Sequence, residues 1–338
     1  MKAMQPDFVA RILNFNELPD YFDRVEARMI EIVSDTNPLI KEPLMRLING
    51  LNKRFVVFLV GPVVKSQGKD IDDSVITSCA VLELLNMAFC IHDDVTDNSN
   101  KRYGVPNINA VEGVNQAILI GDYLLNLTVQ AALTVSKEVA DVVIKSIAEN
   151  RESEIIEIAD RHNLDRTIDA YLHCINLKSA SHISATCQIG GICAGLPKTQ
   201  IRTLATYGEA VGMMYQLLDD LLDFVSAEEI MRKPIGKDVE EGVYTLPLLL
   251  GLQGTDRGRI EALLKAIPQD EAASDELLQV LAANGSIEKT IQEIRDYCEQ
   301  AAKALQGFKD NDIIRGLARF PSNYLDAALE YSAIKLHG

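Results

Sequence analysis

Two short acidic clusters with the same internal spacing constrain this chain more than any other feature of its sequence. Each cluster has aspartates at positions i, i+1 and i+4, at the end of a long apolar stretch. The clusters consist of Asp93, Asp94 and Asp97, and of Asp219, Asp220 and Asp223. If both stretches are helices, the first and third carboxylate of each cluster lie one turn apart on the same helix face.

Carboxylates at the C-terminal end of a helix repel one another and the negative end of the helix dipole, and a divalent cation relieves both repulsions. Oxygen-only ligands suit magnesium, which prefers a few carboxylates together with the phosphates of a substrate. A single cluster would be more typical of a solvated helix end. Two clusters that both close apolar helices favour a metal site for a phosphorylated small molecule.

Composition limits the class of protein. The chain has 338 residues, of which 47% are hydrophobic, enough to bury a large core. A net charge of -16 argues against nucleic-acid binding, so local cations and metal have to hold any anionic substrate. The longest apolar run, 55–64, is too short to cross a bilayer, and the N-terminus does not resemble a signal peptide. Since the six cysteines form no CxxC pair or zinc spacing, we expect reduced core thiols in a cytoplasmic protein without a transmembrane segment.

Long helices are predicted for most of the chain. No proline occurs between Pro106 and Pro197, and apolar residues recur at intervals of three and four. The segments with this period are 74–97, 116–135, 138–162, 167–195, 199–226 and 286–308. The fold class is therefore predicted to be all-α, with residues 1–338 forming a single domain. In such a helical bundle both aspartate clusters can face one central cavity.

Five motifs, taken in order, resemble the trans-isoprenyl diphosphate synthase (polyprenyl synthetase) family. They are DDVTDNSNKRYG, similar to the family's DDxxDxxxxRRG; GDYLL; Lys178-Ser179 in place of a Lys-Thr pair; QLLDDLLD; and KPIGKDVEEGVYTLP. The resemblance implies an all-α isoprenoid synthase fold, shared with class I terpene cyclases. It also implies magnesium-dependent ionisation of an allylic prenyl diphosphate, and a homodimer, with a heterodimer as the alternative.

The resemblance assigns a role to each site residue. Direct metal ligands would be Asp93, Asp97 and Asp219, with Asp94, Asp220 and Asp223 close by or bound through water, around about three magnesium ions. Arg102, Lys178 and Lys233 match positions that hold the allylic diphosphate, Gln216 would orient a carboxylate, and Lys53 and Arg54 match the isopentenyl diphosphate segment. Physically, metal and cations would neutralise the charge that develops on the leaving diphosphate. Lys178 is the strongest of the cations, because it interrupts an otherwise apolar helix.

Phe89 lies one helical turn below Asp93 on the same face and is a candidate for the floor of the cavity. A turn rises about 5.4 Å, close to one isoprene unit, so a ring there predicts short to medium products of roughly C10 to C20. An ordinary core position is an equally good interpretation of Phe89. For His92, beside the first cluster, a packed and hydrogen-bonded role is favoured over a role as a donor at the site.

The sequence departs from the family at four positions. Val56 and Tyr103 stand where the family has arginines, Asn86 replaces a histidine, and Val243 replaces a lysine. Three of the four bear on the isopentenyl diphosphate site, so the acceptor of the prenyl group is open. The alternatives are a synthase with an altered isopentenyl site, a prenyltransferase with another nucleophile as acceptor, and a class I terpene cyclase. A non-catalytic partner subunit is the least favoured alternative, since both aspartate clusters are intact.

Overall fold

The structure, a computed structural model, describes residues 6–13, 15, 17–50, 58–102, 104–225, 237–267, 270 and 272–332. These residues are almost entirely helical, so the predicted all-α class is confirmed. One small antiparallel pair of strands, β1 (Lys101–Arg102) and β2 (Val105–Pro106), follows the first aspartate cluster.

The helices run in chain order and include all the segments with a helical apolar period. The first five are α1 (Pro6–Leu13), α2 (Leu18–Ser34), α3 (Pro38–Gly50), α4 (Val60–Ser66) and α5 (Asp73–Thr96). They are followed by α6 (Ile108–Val111), α7 (Val114–Val135), α8 (Lys137–Ala159), α9 (Ile168–Ile175), α10 (Ser181–Cys193) and α11 (Lys198–Val225). The remainder are α12 (Lys237–Glu240), α13 (Leu246–Leu252), α14 (Arg257–Ala266), α15 (Ala272–Ala283), α16 (Ser286–Ala304) and α17 (Asp312–Ser332), with a short 3-10 turn at Leu305–Gly307.

Helix α5 is a central helix of the bundle and carries the first aspartate cluster at its C-terminal end. Its N-terminus is fixed by Asp72, whose side chain accepts hydrogen bonds from the backbone N–H groups of Ser74 and Val75. The helix is apolar on nearly all sides and is mostly buried against α2 and α7. By length and composition, α5 and α7 are the two described helices that are apolar enough to cross a membrane, and α5 is 83% buried over that window against 33% for α7.

Helix α11 carries the second cluster and packs closely on its neighbours because two glycines leave room for their backbones. A Cβ atom at Gly212 would lie 2.5 Å from the Cα of Ala180, and one at Gly208 would lie 2.6 Å from the carbonyl oxygen of Ile183. This close approach brings the end of α11 beside the segment that contains Lys178.

The helix predicted over 167–195 differs from the structure in one respect, a π-helical turn within it. Helices α9 and α10 are separated by a π-helical turn, Asn176–Ala180, in which the N–H of Ser181 bonds to the carbonyl oxygen of Asn176. A π turn inserts one extra residue into the helix and is frequent at functional sites. Here the inserted turn contains Lys178 and Ser179, so it changes where these two side chains point relative to a regular helix.

Candidate active site

Glu157 on α8 connects the two aspartate clusters, which lie at the C-terminal ends of α5 and α11. Its Oε1 accepts a hydrogen bond from Nζ of Lys178 at 2.7 Å. Burial raises the pKa of Asp97, and the charge of Glu157 raises it further. The same two causes act on Asp220, whose pKa is raised to about 7. One carboxylate therefore interacts with both clusters and with the predicted diphosphate-binding lysine.

Two carboxylates of the first cluster form ion pairs with arginines. Oδ1 of Asp94, which is buried, accepts hydrogen bonds from Nε of Arg102 at 3.0 Å and from its Nη2 at 2.8 Å. Oδ1 of Asp97 accepts one from Nη2 of Arg161 at 3.0 Å. Charge-assisted hydrogen bonds of this kind are about twice as strong as neutral ones, so both side chains are held in place.

Asp93 is held much less tightly. Its Oδ1 is buried and has no hydrogen-bond partner among the described residues, and Nη2 of Arg151 is 3.8 Å away. Burial raises the pKa of Asp93, and the neighbouring charge of Glu154 adds to this effect. A buried carboxylate oxygen without a hydrogen bond is costly and rare in folded proteins, so this atom is a candidate ligand for a cation.

The second cluster is held by neutral donors. The Tyr171 hydroxyl donates to Oδ2 of Asp220 at 2.5 Å, and Nε2 of Gln216 donates to its Oδ1 at 2.7 Å. The Ser179 hydroxyl in turn donates to Oε1 of Gln216. The backbone N–H of Asp238 donates to Oδ2 of Asp223 at 3.4 Å.

Lys178 lies between two glutamates of α8. Its Nζ is 3.0 Å from Oε1 of Glu154 and 2.7 Å from Oε1 of Glu157. Burial alone would lower the pKa of Lys178, but the charges of Glu157, Glu154 and Asp93 together raise it well above its ordinary value. The ammonium group therefore stays charged between the two glutamates, close enough to Asp93 to be affected by its charge.

The donor set at this site fits a hard divalent ion. Six aspartates from two helices offer only oxygen atoms, which magnesium and calcium prefer. In the part of the chain that the structure describes, no three histidine, cysteine, aspartate or glutamate side chains lie close enough to hold a metal ion by themselves. The arrangement therefore suits an ion that takes one or two carboxylates and completes its shell with oxygens from a substrate.

The Phe89 side chain is buried one turn before Asp93, a position that fits both the floor of a cavity and an ordinary core residue. Its ring is buried and makes an edge-to-face contact with the ring of His182, with 5.5 Å between the centroids. The guanidinium carbon of Arg151 lies 5.2 Å from the centroid of the Phe89 ring. Nδ1 of His182 is 3.3 Å from the Ser146 hydroxyl, and burial lowers the pKa of His182 to about 4.

His92 has the packed and hydrogen-bonded role that its sequence context favours. Its Nε2 is 3.2 Å from Oδ1 of Asp122, and burial lowers its pKa. A Cβ atom at Gly121 would lie 2.6 Å from the same Nε2, so only glycine fits there. The Gly-Asp pair of the GDYLL motif thus makes room for this ring and binds it.

Several predicted positions cannot be placed in the site. Lys53, Arg54, Val56, Tyr103 and Lys233 lie outside the described residues. Asn86 on α5 and Val243 after α12 are described, and both are half-buried.

Sequence reasoning missed five polar side chains at the site: Arg151, Glu154, Glu157, Arg161 and Tyr171. A signal for the two glutamates exists in α8, where polar residues recur every three or four positions along its buried side. This polar stripe consists of Ser146, Asn150, Ser153, Glu154 and Glu157. A helix that buries such a stripe faces a polar interior.

The fold and site together define a class: an all-α bundle with an aspartate cluster at the C-terminal end of each of two long helices and a lysine on a π turn. The polyprenyl synthetase family matches residues 37–283. The chain is 34% identical to heptaprenyl diphosphate synthase component 2 of Geobacillus stearothermophilus, over 72% of this chain and 76% of the relative. It is 31% identical to nonaprenyl diphosphate synthase of Mycobacterium tuberculosis, over 87% of this chain and 89% of the relative.

Solved structures give the same result. A decaprenyl diphosphate synthase from Rhodobacter capsulatus superimposes with a TM-score of 0.85 at 26% identity, covering 95% of this chain and 99% of that one. A polyprenyl synthase from Caulobacter crescentus, complexed with calcium and isoprenyl diphosphate, gives 0.83 at 25% identity, covering 96% and 98%. This chain belongs to the polyprenyl synthetase family. Its activity is prenyl transfer, which the relatives favour over the terpene cyclase alternative.

Proposed function

We propose that this enzyme ionises an allylic prenyl diphosphate between its two aspartate clusters, with magnesium as cofactor. The observation that carries the proposal is the position of the π turn: Ser179 is linked to Asp220 through Gln216, and the pKa of the neighbouring Lys178 is raised by the charges of Glu157, Glu154 and Asp93. The Caulobacter crescentus relative, which was solved with calcium and isoprenyl diphosphate, supports the same ligand chemistry.

The geometry favours different roles within each cluster. Asp93 and Asp97 of α5 and Asp219 of α11 would hold about three ions together with the diphosphate. Asp94 and Asp220 are already engaged by Arg102 and by Tyr171 and Gln216, so they would orient their neighbours. Asp97 would exchange its hydrogen bond from Arg161 for an ion. When bound, the ions would supply Lewis-acid neutralisation of the leaving diphosphate.

The side chains around the ions have distinct tasks in the reaction. Lys178 would bind the diphosphate and stabilise the negative charge it gains when the allylic carbon–oxygen bond breaks and the electron pair stays on oxygen. Arg102 and Lys233 would contribute further positive charge. The apolar wall below Asp93, including Phe89, would keep water away from the carbocation. The acceptor would then form the new carbon–carbon bond, and the departing diphosphate would take the proton that is released.

The acceptor is the least constrained part of the proposal. Family membership favours isopentenyl diphosphate, which Lys53 and Arg54 would help to bind. The departures at Val56, Asn86 and Tyr103 replace basic side chains of that site and favour a different nucleophile. Each hydrogen bond to a charged group contributes about 1.5–3 kcal/mol, so these losses matter for diphosphate affinity.

The product length follows from Phe89 in this proposal. Its ring and that of His182 stand below Asp93 and would stop a growing chain early, at roughly C10 to C20. The named relatives make longer products, so this expectation separates the chain from them.

We also propose that the enzyme is a homodimer. Large hydrophobic side chains are exposed along α7 and α8 and in the turn before α7: Val111, Val114, Ile118, Leu119, Tyr123, Leu133, Ile144, Ile155 and Ile158. A contiguous apolar surface of this kind usually marks an interface. Light scattering of the purified chain would give the mass of a dimer; a monomer that dimerises only with a second protein would indicate a heterodimer, an arrangement suggested by the name component 2. The cytoplasmic location stays a prediction.

The decisive experiment is product analysis with dimethylallyl, geranyl, farnesyl or geranylgeranyl diphosphate and magnesium, each with and without isopentenyl diphosphate. Longer diphosphates formed only with isopentenyl diphosphate would establish chain elongation. Alcohols or hydrocarbons formed without it would indicate another acceptor or cyclisation. No magnesium-dependent release of diphosphate from any substrate would refute the proposal.

A further inference from the structure

Arg151 on α8 has no part in the function proposed above, although it lies inside the site. Its Nη2 is 3.8 Å from Oδ1 of Asp93, and its guanidinium carbon is 5.2 Å from the centre of the Phe89 ring. A positive charge at this depth is unexpected, because it stands where an allylic carbocation would form and where a hydrocarbon chain would pass. Such a charge is costly there unless an anion compensates it.

The neighbours of Arg151 identify the anion that compensates its charge. The guanidinium donates to the side-chain oxygen of Asn150, and its Nε is buried without a hydrogen-bond partner among the described residues. The carboxylate nearest to it is that of Asp93, whose Oδ1 has no other partner. Arg151 is therefore the cation within 4 Å of Asp93 among the described residues, although the two are too far apart for a direct hydrogen bond. The charges of Lys178 and Arg102 also act on this carboxylate, from farther away.

The other arginines of the first cluster differ from Arg151 in this respect. Arg102 makes two hydrogen bonds to Asp94, of which the shorter is 2.8 Å, and Arg161 makes one to Asp97 at 3.0 Å. These two pairs are closed by charge-assisted hydrogen bonds, whereas the pair between Arg151 and Asp93 is open. A cation that arrives at Asp93 can replace Arg151 without breaking a hydrogen bond.

We propose that Arg151 is a positioning residue that acts as the resident counter-ion of Asp93 and competes with the divalent ion for this carboxylate. The ion then binds the first cluster well only when a diphosphate supplies further oxygen ligands and negative charge. Arg151 in this way couples ion binding to diphosphate binding. This inference rests on the metal site of the proposed function.

Two contacts keep Arg151 in place after the ion has taken Asp93. The side-chain oxygen of Asn150 and the face of the Phe89 ring remain available to the guanidinium. Cation–π contacts with aromatic rings stabilise a partly desolvated arginine. The competition is therefore modest: partly exposed ion pairs contribute little, and we expect an effect of about tenfold on ion affinity.

The test measures Mn²⁺ binding by electron paramagnetic resonance, with and without inorganic pyrophosphate as the probe. Arg151→Gln removes the charge and should bind Mn²⁺ about tenfold more tightly than the wild type when pyrophosphate is absent. With pyrophosphate the two proteins should differ less, so the gain in affinity that pyrophosphate gives should shrink in the variant. Arg151→Lys keeps the charge and should behave like the wild type.

Lys145→Gln is the matched control. Lys145 lies on the same helix but pairs with Glu149 at 3.3 Å on its exposed side, so the substitution removes one positive charge far from Asp93. It should leave Mn²⁺ affinity unchanged, which separates a local effect of Arg151 from one of net charge. Circular dichroism and thermal unfolding of each variant show whether it is folded.

Three outcomes would overturn the inference. Equal Mn²⁺ affinity of the wild type and a folded Arg151→Gln variant would remove Arg151 from the ion-binding equilibrium and leave the metal site standing. Weaker binding by the variant would mean that Arg151 supports the ion instead of competing with it. No Mn²⁺ binding by any of the proteins, even with pyrophosphate, would refute the metal site and the inference together.

Discussion

The two aspartate clusters have the same spacing, but the protein stabilises them by different means. In the first cluster, Asp94 and Asp97 form hydrogen-bonded ion pairs with Arg102 and Arg161. In the second, Asp220 accepts hydrogen bonds from neutral groups, the hydroxyl of Tyr171 and the amide of Gln216. Among the described residues, arginines therefore hold two carboxylates of the first cluster, whereas the hydrogen bonds to Asp220 in the second come from uncharged groups.

The side chains one helical turn before the clusters also differ between the two helices. Phe89 lies one turn before Asp93, and Gln216 lies one turn before Asp220. The ring of Phe89 packs on His182, while the amide of Gln216 contacts Ser179 of the π turn. In the proposed function the first helix would provide an apolar wall for the prenyl chain, whereas the second supports its own carboxylate with a polar side chain. Two clusters with the same spacing of aspartates therefore have different neighbouring side chains.

The largest expected effect comes from removing one carboxylate of either cluster. Asp93→Ala and Asp219→Ala should each reduce magnesium-dependent release of diphosphate by at least about 10²-fold, because charge on the leaving group is no longer neutralised. Release is measured with a coupled phosphate assay. Asp141→Ala, which removes an exposed carboxylate paired with Lys137, is the control and should be unaffected. Undiminished release in both site variants would show that the clusters do not hold the metal.

A second test compares how the clusters are held in the metal-free protein. Arg102→Leu should lower the free energy of unfolding by about 3 kcal/mol, because it leaves the buried carboxylate of Asp94 without its counter-ion. Tyr171→Phe should cost only about 1–2 kcal/mol, since Gln216 still donates to Asp220. Urea unfolding in the presence of a chelator gives both values. Arg257→Leu, at an exposed ion pair, should change little. The reverse order for the first two variants would contradict the comparison.

A third test uses pH to examine the wall below the first cluster. Burial lowers the pKa of His182 to about 4, against about 6.5 in an unfolded chain. Between these values the unfolded state binds the proton and the folded state does not, so stability is complete above pH 6.5 and falls as the pH drops towards 4. The wild type should therefore lose about 3 kcal/mol more than His182→Gln over this range in urea unfolding. Parallel pH profiles would mean that His182 is accessible to solvent in the folded protein.

The smallest expected change is in product length. Phe89→Ala should lengthen the product by about one isoprene unit or admit a longer substrate, because it removes the ring one turn below Asp93. Gln216→Ala, one turn before Asp220 in the second helix, should lower the rate without lengthening the product. Chromatography of the dephosphorylated products measures both effects. An unchanged product and substrate profile for Phe89→Ala would mean that Phe89 is an ordinary core residue.

Much of the fold was predictable because apolar periodicity is a local property of the chain. Helices α5, α7, α8, α11 and α16 begin and end within a few residues of the segments with a helical period. The break between α9 and α10 was not predicted. The π turn lies where Gly212 of α11 closely approaches Ala180, and this contact between helices is not visible in the local apolar pattern. The five site residues were missed for a related reason: their roles depend on partners on other helices, as those of Arg151 and Tyr171 do.

The sequence by itself determined the all-α class, the two aspartate clusters, the lone charge of Lys178 and the family. These features follow from residue type and spacing along one helix, and a helix fixes the neighbours at three and four positions whatever surrounds it. Only the tertiary structure decided which partner each carboxylate has. An ion pair or hydrogen bond needs two groups within about 3 Å, and no spacing within one helix specifies the distance to a side chain on another. The same aspartate motif is therefore paired with arginines on α5 and with a tyrosine and a glutamine at the end of α11.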